Sequence, residues 1–274
     1  MSAVSKGYEE FSQFLEKHSG IALGPNKQYL VSSRLRTILK DTQAETLADL
    51  VKLIERDVRG GLRAQVVDAM TTNETLWFRD MHPFDILRNK LLPEYAAEKV
   101  KQPLRIWSAA CSTGQEPYSI SMIMEEFKRT RPGVFQGEKI IATDISTRAL
   151  GDAKAGEYAM LALGRGLDTA QLKQYFDQTA DGRWRIKPNI SSRVEFRILN
   201  LLESYSMLGQ FQIIFCRNVL IYFTTELKMQ ILKKMHQALR PGGYLIVGAS
   251  EAVNGLNDYY EMVHCRPGII YRKK

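Results

Sequence analysis

The residues best placed to do chemistry follow an apolar run. Leu104-Arg105-Ile106-Trp107 leads into Ser108-Ala109-Ala110-Cys111-Ser112-Thr113-Gly114-Gln115-Glu116-Pro117-Tyr118. If the run is a strand, small residues after it let a ligand approach the backbone, and a helix opening at Pro117 supplies free N–H groups. Dinucleotide-binding loops place several glycines here to hold a pyrophosphate. This loop has a single glycine and a glutamate at the helix start, and a carboxylate there repels pyrophosphate. Glu116 instead suits a cationic ligand bearing an ammonium and a sulfonium, which favours S-adenosyl-L-methionine over a nicotinamide dinucleotide. The same carboxylate would equally complement the helix dipole.

A second run, Lys139 to Thr143, ends at Asp144. An acid at a strand tip can accept both hydroxyls of an adenosine ribose, or it can cap a helix starting at Ile145 or Ser146. A third run, Phe211 to Cys216, delivers Arg217-Asn218-Val219-Leu220-Ile221-Tyr222-Phe223. Asn218 can hydrogen-bond substrate or cofactor, and Tyr222 can aim its hydroxyl at reacting atoms; Phe223 reads as core. DNA amino-methyltransferases carry Asn/Asp-Pro-Pro-Tyr/Phe at this place. Asn218-Val219-Leu220 departs from that motif, so base methylation is disfavoured.

The elements that must position these groups come in two kinds. Residues 8–72 show helical spacing only, with Phe11, Phe14 and Leu15 on one face and Thr46/Asp49 as a capping pair before Leu47, Leu50, Val51 and Ile54. From His82-Pro83 onward, after a polar connector with two aromatic anchors (Met70 to Asp80), strand and helix patterns alternate. That order implies a parallel sheet covered by helices on both faces, an α/β fold of Rossmann-like type. Arg240-Pro241-Gly242-Gly243 reads as a loop before the last parallel strand, and 259–273 as an antiparallel hairpin. Asp181-Gly182 between short aromatic runs signals a small inserted β hairpin. The expected division is a helical domain at 1–76, a connector at 77–95 and a catalytic domain at 96–274, with the β insertion at about 173–193.

Composition narrows the class. A chain of 274 residues with 45% hydrophobic and 25% charged residues is globular rather than disordered or fibrous. No apolar run approaches the ~20 residues of a membrane span. The N-terminus lacks the apolar core of a signal peptide, so a cytoplasmic location is expected. Three scattered cysteines give no disulfide framework, and four histidines without metal-ligand spacing give no metal site. The net charge of +8 is unevenly placed: residues 1–90 hold thirteen basic and twelve acidic side chains, so the front third is nearly neutral. Within it, Gly24 to Lys40 carries Lys27, Arg34, Arg36 and Lys40 with no acid, which is either a solvated helix face or a docking surface for an acidic partner.

The combination of Thr72-Asn73-Glu74-Thr75 with Phe78-Arg79, then Ala110 to Ser119, then Phe215 to Phe223, resembles the chemotaxis receptor methyltransferase family, CheR. The resemblance spans nearly the whole chain. It implies an S-adenosylmethionine-dependent methyltransferase sheet with a small N-terminal all-helical domain and a short inserted antiparallel β subdomain. The implied reaction is methyl transfer from S-adenosyl-L-methionine to glutamate carboxylates on the cytoplasmic helices of chemoreceptors, leaving S-adenosyl-L-homocysteine. Implied cofactor contacts are Asn73, Thr75, Arg79, Glu116, Asp144, Asn200, Leu201, Arg217 and Asn218, with Arg79 and Tyr222 nearest the transferred methyl. Receptor contact is implied for the basic stretch holding Lys27, Arg34, Arg36 and Lys40. The turn Thr179 to Arg183 is shorter than in relatives that grip a receptor tether there, so tether independence is expected. A monomer is expected, with neither nucleic acid nor membrane insertion. Two rival classes remain open at this point: a methyltransferase acting on RNA or a small molecule, and a non-catalytic cofactor-binding module.

Overall fold

The structure, a computed structural model, describes residues 7–98, 103–135 and 137–274. The first six residues of the expected helical domain, and 99–102 at the start of the expected catalytic domain, lie outside the described residues. Four helices come first: α1 (Tyr8–Ser19), α2 (Gln28–Thr42), α3 (Leu47–Arg56) and α4 (Gly61–Met70). Thr46 caps α3 as its spacing requires, Oγ1 accepting the Asp49 N–H at 3.1 Å. Leu47, Leu50, Val51 and Ile54 then close with Phe11, Leu15, Val31, Leu35 and Val66 on a core of their own.

After the connector, α5 (His82–Ile86) and α6 (Leu92–Ala97) flank one π-helical turn, Leu87–Leu91. Pro93 therefore does not break the chain as its type suggests. The widened turn passes the Leu92 N–H to the Leu87 carbonyl, and Pro93 sits in the first turn of α6, where no N–H is needed.

From here strand and helix alternate: β1 (Leu104–Ala109), α7 (Gln115–Thr130), β2 (Glu138–Asp144) and α8 (Thr147–Ala155). The insertion follows, as β3 (Glu157–Tyr158), α9 (Met160–Leu163), α10 (Thr169–Tyr175), β4 (Phe176–Gln178) and β5 (Trp184–Ile186). Then come α11 (Pro188–Ser191), β6 (Val194–Ile198), β7 (Phe211–Cys216), α12 (Thr225–Ala238), β8 (Leu239–Val247), β9 (Tyr260–Cys265) and β10 (Gly268–Lys273). The main sheet has the order β6-β2-β1-β7-β8-β10-β9. Its first five strands are parallel, and β10 and β9 are added antiparallel.

Successive strand residues go to opposite faces. Ile106, Ile140, Ile213, Phe215 and Ile246 pack with Phe84 and Ile123 on one side. Trp107, Ile141, Ile214 and Leu245 pack with Ile231, Leu232 and Met235 of α12 on the other. Both faces are dry, so the strands read as continuous apolar runs. The chain leaves β1 towards β2 and later returns to β1 on the opposite side with β7. The sheet order thus reverses at β1, and a ligand crevice is expected beyond the carboxyl ends there.

Three expectations are corrected. The insertion has three strands, β3-β5-β4, and begins at Glu157 rather than near 173. Two residues, Glu157 and Tyr158, are too few to show alternation. Strand β8 already starts at Leu239 and runs through Arg240-Pro241-Gly242-Gly243, because its pairing with β7 shifts register between Phe211 and Ile213 and the surplus residues bulge. Finally, the apolar pattern over 194–201 predicts one strand, but β6 ends at Ile198, so Asn200-Leu201 lie in the loop beyond it.

The insertion grips the connector. Trp77, 1% exposed, lies edge-on to Tyr158 and Phe176 with centroids 5.0 and 5.3 Å away, and its backbone N–H donates to the Arg165 carbonyl at 3.2 Å. Gly166 has φ +118°, and a Cβ there would fall 2.1 Å from the Trp77 carbonyl oxygen. Gly182 also has positive φ, +80°, but opens onto empty space. Gly166→Ala is expected to lose stability by about 1–3 kcal/mol from backbone strain plus the further cost of the clash. Gly182→Ala should show the strain alone, so denaturation midpoints of the two variants separate the contributions.

Candidate active site

All ten residues assigned above to cofactor or catalysis line one cleft beyond the carboxyl ends of β1, β2 and β7. They arrive from five segments: Asn73, Thr75 and Arg79 from the connector, Glu116 from the first turn of α7, Asp144 from the tip of β2, Asn200 and Leu201 from the loop after β6, and Arg217, Asn218 and Tyr222 from the loop after β7.

At the centre is a buried ion cluster. Arg217, its side chain 1% exposed, donates Nη1 to Glu116 Oε2 at 3.0 Å. Its Nη2 donates to Asp80 Oδ2 and to the Arg79 carbonyl, each at 2.8 Å. Glu116 Oε1 accepts the Ser108 hydroxyl at 2.7 Å. Glu116 is therefore not a free carboxylate waiting for a cation, as its loop position alone suggests. Against Arg217 and Arg79, however, stand Glu116, Asp80, Asp144 and Glu74, so the local balance stays negative. Burial pushes the Glu116 carboxyl above its ordinary range, with Arg217 and the Ser108 hydroxyl acting the other way.

Asp144, 6% exposed, holds two loops together. Oδ2 accepts the Ser112 N–H at 2.8 Å and Oδ1 the Ser146 N–H at 2.9 Å. Burial raises its pKa too, against the bonds from the Ser146, Ser112 and Ile145 amides. It does not cap α8. Ser146 does, through Oγ and the Ala149 N–H at 3.1 Å. Lone pairs on Asp144 remain for further donors such as ribose hydroxyls.

The connector and the helical domain close the cleft. The Ser112 hydroxyl donates to the Asn73 carbonyl at 2.7 Å, and Arg79 Nη1 donates to the Glu74 carbonyl at 3.2 Å. Ser19 and Ile21, at the end of α1 and just beyond it, also line the cleft. Two hydrogen bonds fix them there. Asn200 Nδ2 donates to the His18 carbonyl at 2.7 Å, and the Ala22 N–H donates to the Tyr222 carbonyl at 3.0 Å. The Asn200 amide nitrogen is thus engaged with α1, and its Oδ1 accepts the Leu202 N–H at 3.0 Å. Tyr222 lines the cleft, and its hydroxyl has no partner among the described residues. Nothing in the types of Ser19 and Ile21 marks them as site residues, because their role follows from where α1 docks.

The four basic residues lie elsewhere. Arg36 and Lys40 line a shallow groove with Leu39, Gln43 and Glu45, outside the cleft. Arg34 turns inward. Its Nη1 donates to the Met70 and Thr71 carbonyls at 2.6 and 3.0 Å, and its Nη2 to Thr72 Oγ1 at 2.9 Å. It therefore ties α2 to the end of α4 and to the start of a connector that lines the cleft. A surface cation would affect partner binding alone. Arg34→Ala is expected to weaken S-adenosylhomocysteine binding about three- to tenfold by calorimetry, the scale of one or two net hydrogen bonds.

The cleft fits S-adenosylmethionine. Small residues at the end of β1, with Ala110 and Ser112 at φ +57° and +51°, leave room against the backbone. Arg217 Nε is buried with no acceptor among the described residues, and a ligand carboxylate is one. Cys111 also lines the cleft, and burial pushes its thiol well up, so it stays protonated and is a poor nucleophile towards a methyl donor. Among the described residues no group of His, Cys, Asp and Glu is arranged for a metal, and no helix is long and apolar enough to cross a membrane.

Comparison with known proteins agrees with this geometry. Residues 73–269 match the family described as "CheR methyltransferase, SAM binding domain", and residues 6–71 match "CheR methyltransferase, all-alpha domain". A chemotaxis protein methyltransferase of Pseudomonas aeruginosa is 58% identical over 275 residues, and one of Pseudomonas putida, Cher2, is 56% identical over 275; each match covers 100% of both chains. An Escherichia coli chemotaxis protein methyltransferase is 34% identical over 248 residues, 89% of this chain and 83% of that one. S-adenosylmethionine is the cofactor of the larger domain, and the chain belongs to the CheR methyltransferase family.

Proposed function

We propose that the enzyme methylates glutamate side chains on the cytoplasmic helices of chemoreceptors, giving glutamate methyl esters and S-adenosylhomocysteine. The observation that carries this reading is the composition of the cleft. It offers acids for a cationic cofactor, with Arg79 and Tyr222 among its polar lining, yet no histidine of the described residues lines it. A glutamate carboxylate has a reference pKa of ~4.3 and is already an anionic nucleophile at neutral pH, so no base is needed. When bound, the cofactor supplies an electrophilic methyl on sulfonium sulfur. The carboxylate oxygen bonds to that methyl carbon, the carbon–sulfur electron pair returns to sulfur, and no proton moves.

The protein's work is positioning. Pre-orientation of this kind is worth ~7–11 kcal/mol. Arg79 orients the incoming carboxylate, and Tyr222 orients by hydrogen bond. Attack removes both charges together, so a cleft closed by Ser19 and Ile21 against water favours the transition state over the charged pair. Helix α2, with Arg36, Lys40 and the N-cap residue Lys27, meets the acidic surface of the receptor bundle. The five-residue turn between β4 and β5, closed by the Thr179 N–H to the Arg183 carbonyl at 2.9 Å, supports a receptor contact without a tether.

Transfer of labelled methyl to receptor signalling fragments, with and without their C-terminal tails, tests this. The label should be released as methanol by mild base, and equally for both fragment types. Base-stable label would exclude an ester, and loss of labelling without the tail would exclude tether independence. Arg36→Glu or Lys40→Glu should raise the KM for receptor fragment severalfold with S-adenosylhomocysteine affinity unchanged.

A further inference from the structure

One carboxylate outside the cleft holds the two loops that end β7 and β8. Cys216 and Val247, the last residues of these strands, are paired. Asn218 follows at φ +57°, a conformation that costs energy for any residue but glycine. Glu251 Oε2 accepts the Asn218 N–H at 2.8 Å and the Gly248 N–H at 2.7 Å, and Oε1 accepts the Ile221 N–H at 3.3 Å. The three donors converge on a single side chain, and no cation among the described residues forms an ion pair with it. The packing is tight around it: a Cβ on Gly248 would come within 2.7 Å of Glu251 Oε2 and 2.9 Å of the Asn218 nitrogen.

The 3₁₀ turn Leu220–Tyr222 hangs between two fixed points. On the sheet side, Glu251 holds the amides of Asn218 and Ile221; on the helical-domain side, the Ala22 N–H holds the Tyr222 carbonyl. Arg217, by contrast, is fixed by Glu116, Asp80 and the Arg79 carbonyl, none of which depends on Glu251. The cofactor-facing cation and the turn carrying Tyr222 therefore have separate anchors.

We infer that Glu251 is a positioning residue for methyl transfer, setting the turn that aims Tyr222. This rests on the role given to Tyr222 under the proposed function. Glutamine at 251 keeps the shape, but its one acceptor oxygen cannot serve both sides, and its amide group faces a backbone donor. The test is a double-mutant cycle in the full chain, with turnover on a receptor fragment and S-adenosylhomocysteine affinity both measured. Glu251→Gln is expected to lower kcat about tenfold with cofactor affinity held within about threefold. In a Tyr222→Phe background the same change should cost less than about threefold, because the hydroxyl it aims is gone. A full tenfold loss in that background, or no loss in Glu251→Gln alone, overturns the inference. Unchanged turnover in Tyr222→Phe alone would instead remove Tyr222 from the reaction, and the inference with it. Should Glu251→Gln fail to fold, Glu251→Asp, which withdraws the charge by one methylene, passes through the same cycle and is judged by the same outcomes.

Discussion

Arg217→Ala is expected to cost about 3–5 kcal/mol of folding stability and to abolish measurable cofactor binding, because it strands buried charge. Glu116 would keep its Ser108 hydroxyl but lose the one cation bonded to it among the described residues, and Asp80 would lose the same partner. The Arg79 carbonyl would lose a donor as well, which loosens the connector where it crosses the cleft. Chemical denaturation reads the first effect and calorimetry with S-adenosylhomocysteine the second. Replacing Glu116 and Arg217 together with apolar residues of similar volume should recover much of the stability but none of the binding. Arg217→Lys should rescue poorly, since an ammonium cannot reach three acceptors along a planar fork.

The pH dependence of this variant has a definite sign. Glu116 already sits above the ordinary carboxylate range through burial, and Arg217 is the largest opposing influence. Without it the folded-state value rises further above the unfolded one. A group raised in the folded state adds stability below its unfolded pKa and loses that contribution as pH rises through the folded value. The deficit of Arg217→Ala should therefore shrink on acidification from about pH 8 to about pH 5. A deficit constant across that window would mean that Glu116 is not what the mutation strands.

The second large effect falls on turnover alone. Tyr222→Phe removes one hydroxyl from a cleft-lining side chain whose backbone remains held by Ala22. It is expected to reduce kcat roughly 10- to 100-fold, the scale of losing alignment at a reacting centre. The KM for receptor fragment and the affinity for S-adenosylhomocysteine should stay near wild type. A change confined to KM would make Tyr222 a binding residue, and unchanged kinetics would take it out of the site.

The part of the site that sequence made legible is the part dictated by local geometry. Glu116 and Asp144 each sit where a strand ends and a helix begins, so type and position together implied a cleft. Tyr222 and Asn218 followed from the same rule applied to β7. Partners separated by long stretches of chain were not legible. Arg217 meets Glu116 across 101 residues, and Asn200 meets His18 across 182. Arg34 shows the same limit: its place in a basic run implied solvent or a partner, yet its guanidinium is spent on carbonyls 36 and 37 residues away. By its type and position Asp144 fits either a cap or a ligand, and only the Ser146 hydroxyl on the Ala149 N–H separates the two. The third strand of the insertion leaves no trace in the sequence, because two residues carry no period.

The docking of α1 has a consequence for anyone exchanging modules among these enzymes. Since Ser19 and Ile21 form a wall of the cleft, and His18 and Ala22 bond to Asn200 and Tyr222, the helical domain is a structural part of the methyl-transfer compartment. A chimaera that grafts a foreign helical domain to redirect partner choice would alter cofactor affinity and turnover at the same seam. Grafts joined after the residue equivalent to Ala22, which keep the native α1 and its following loop, should separate the two properties.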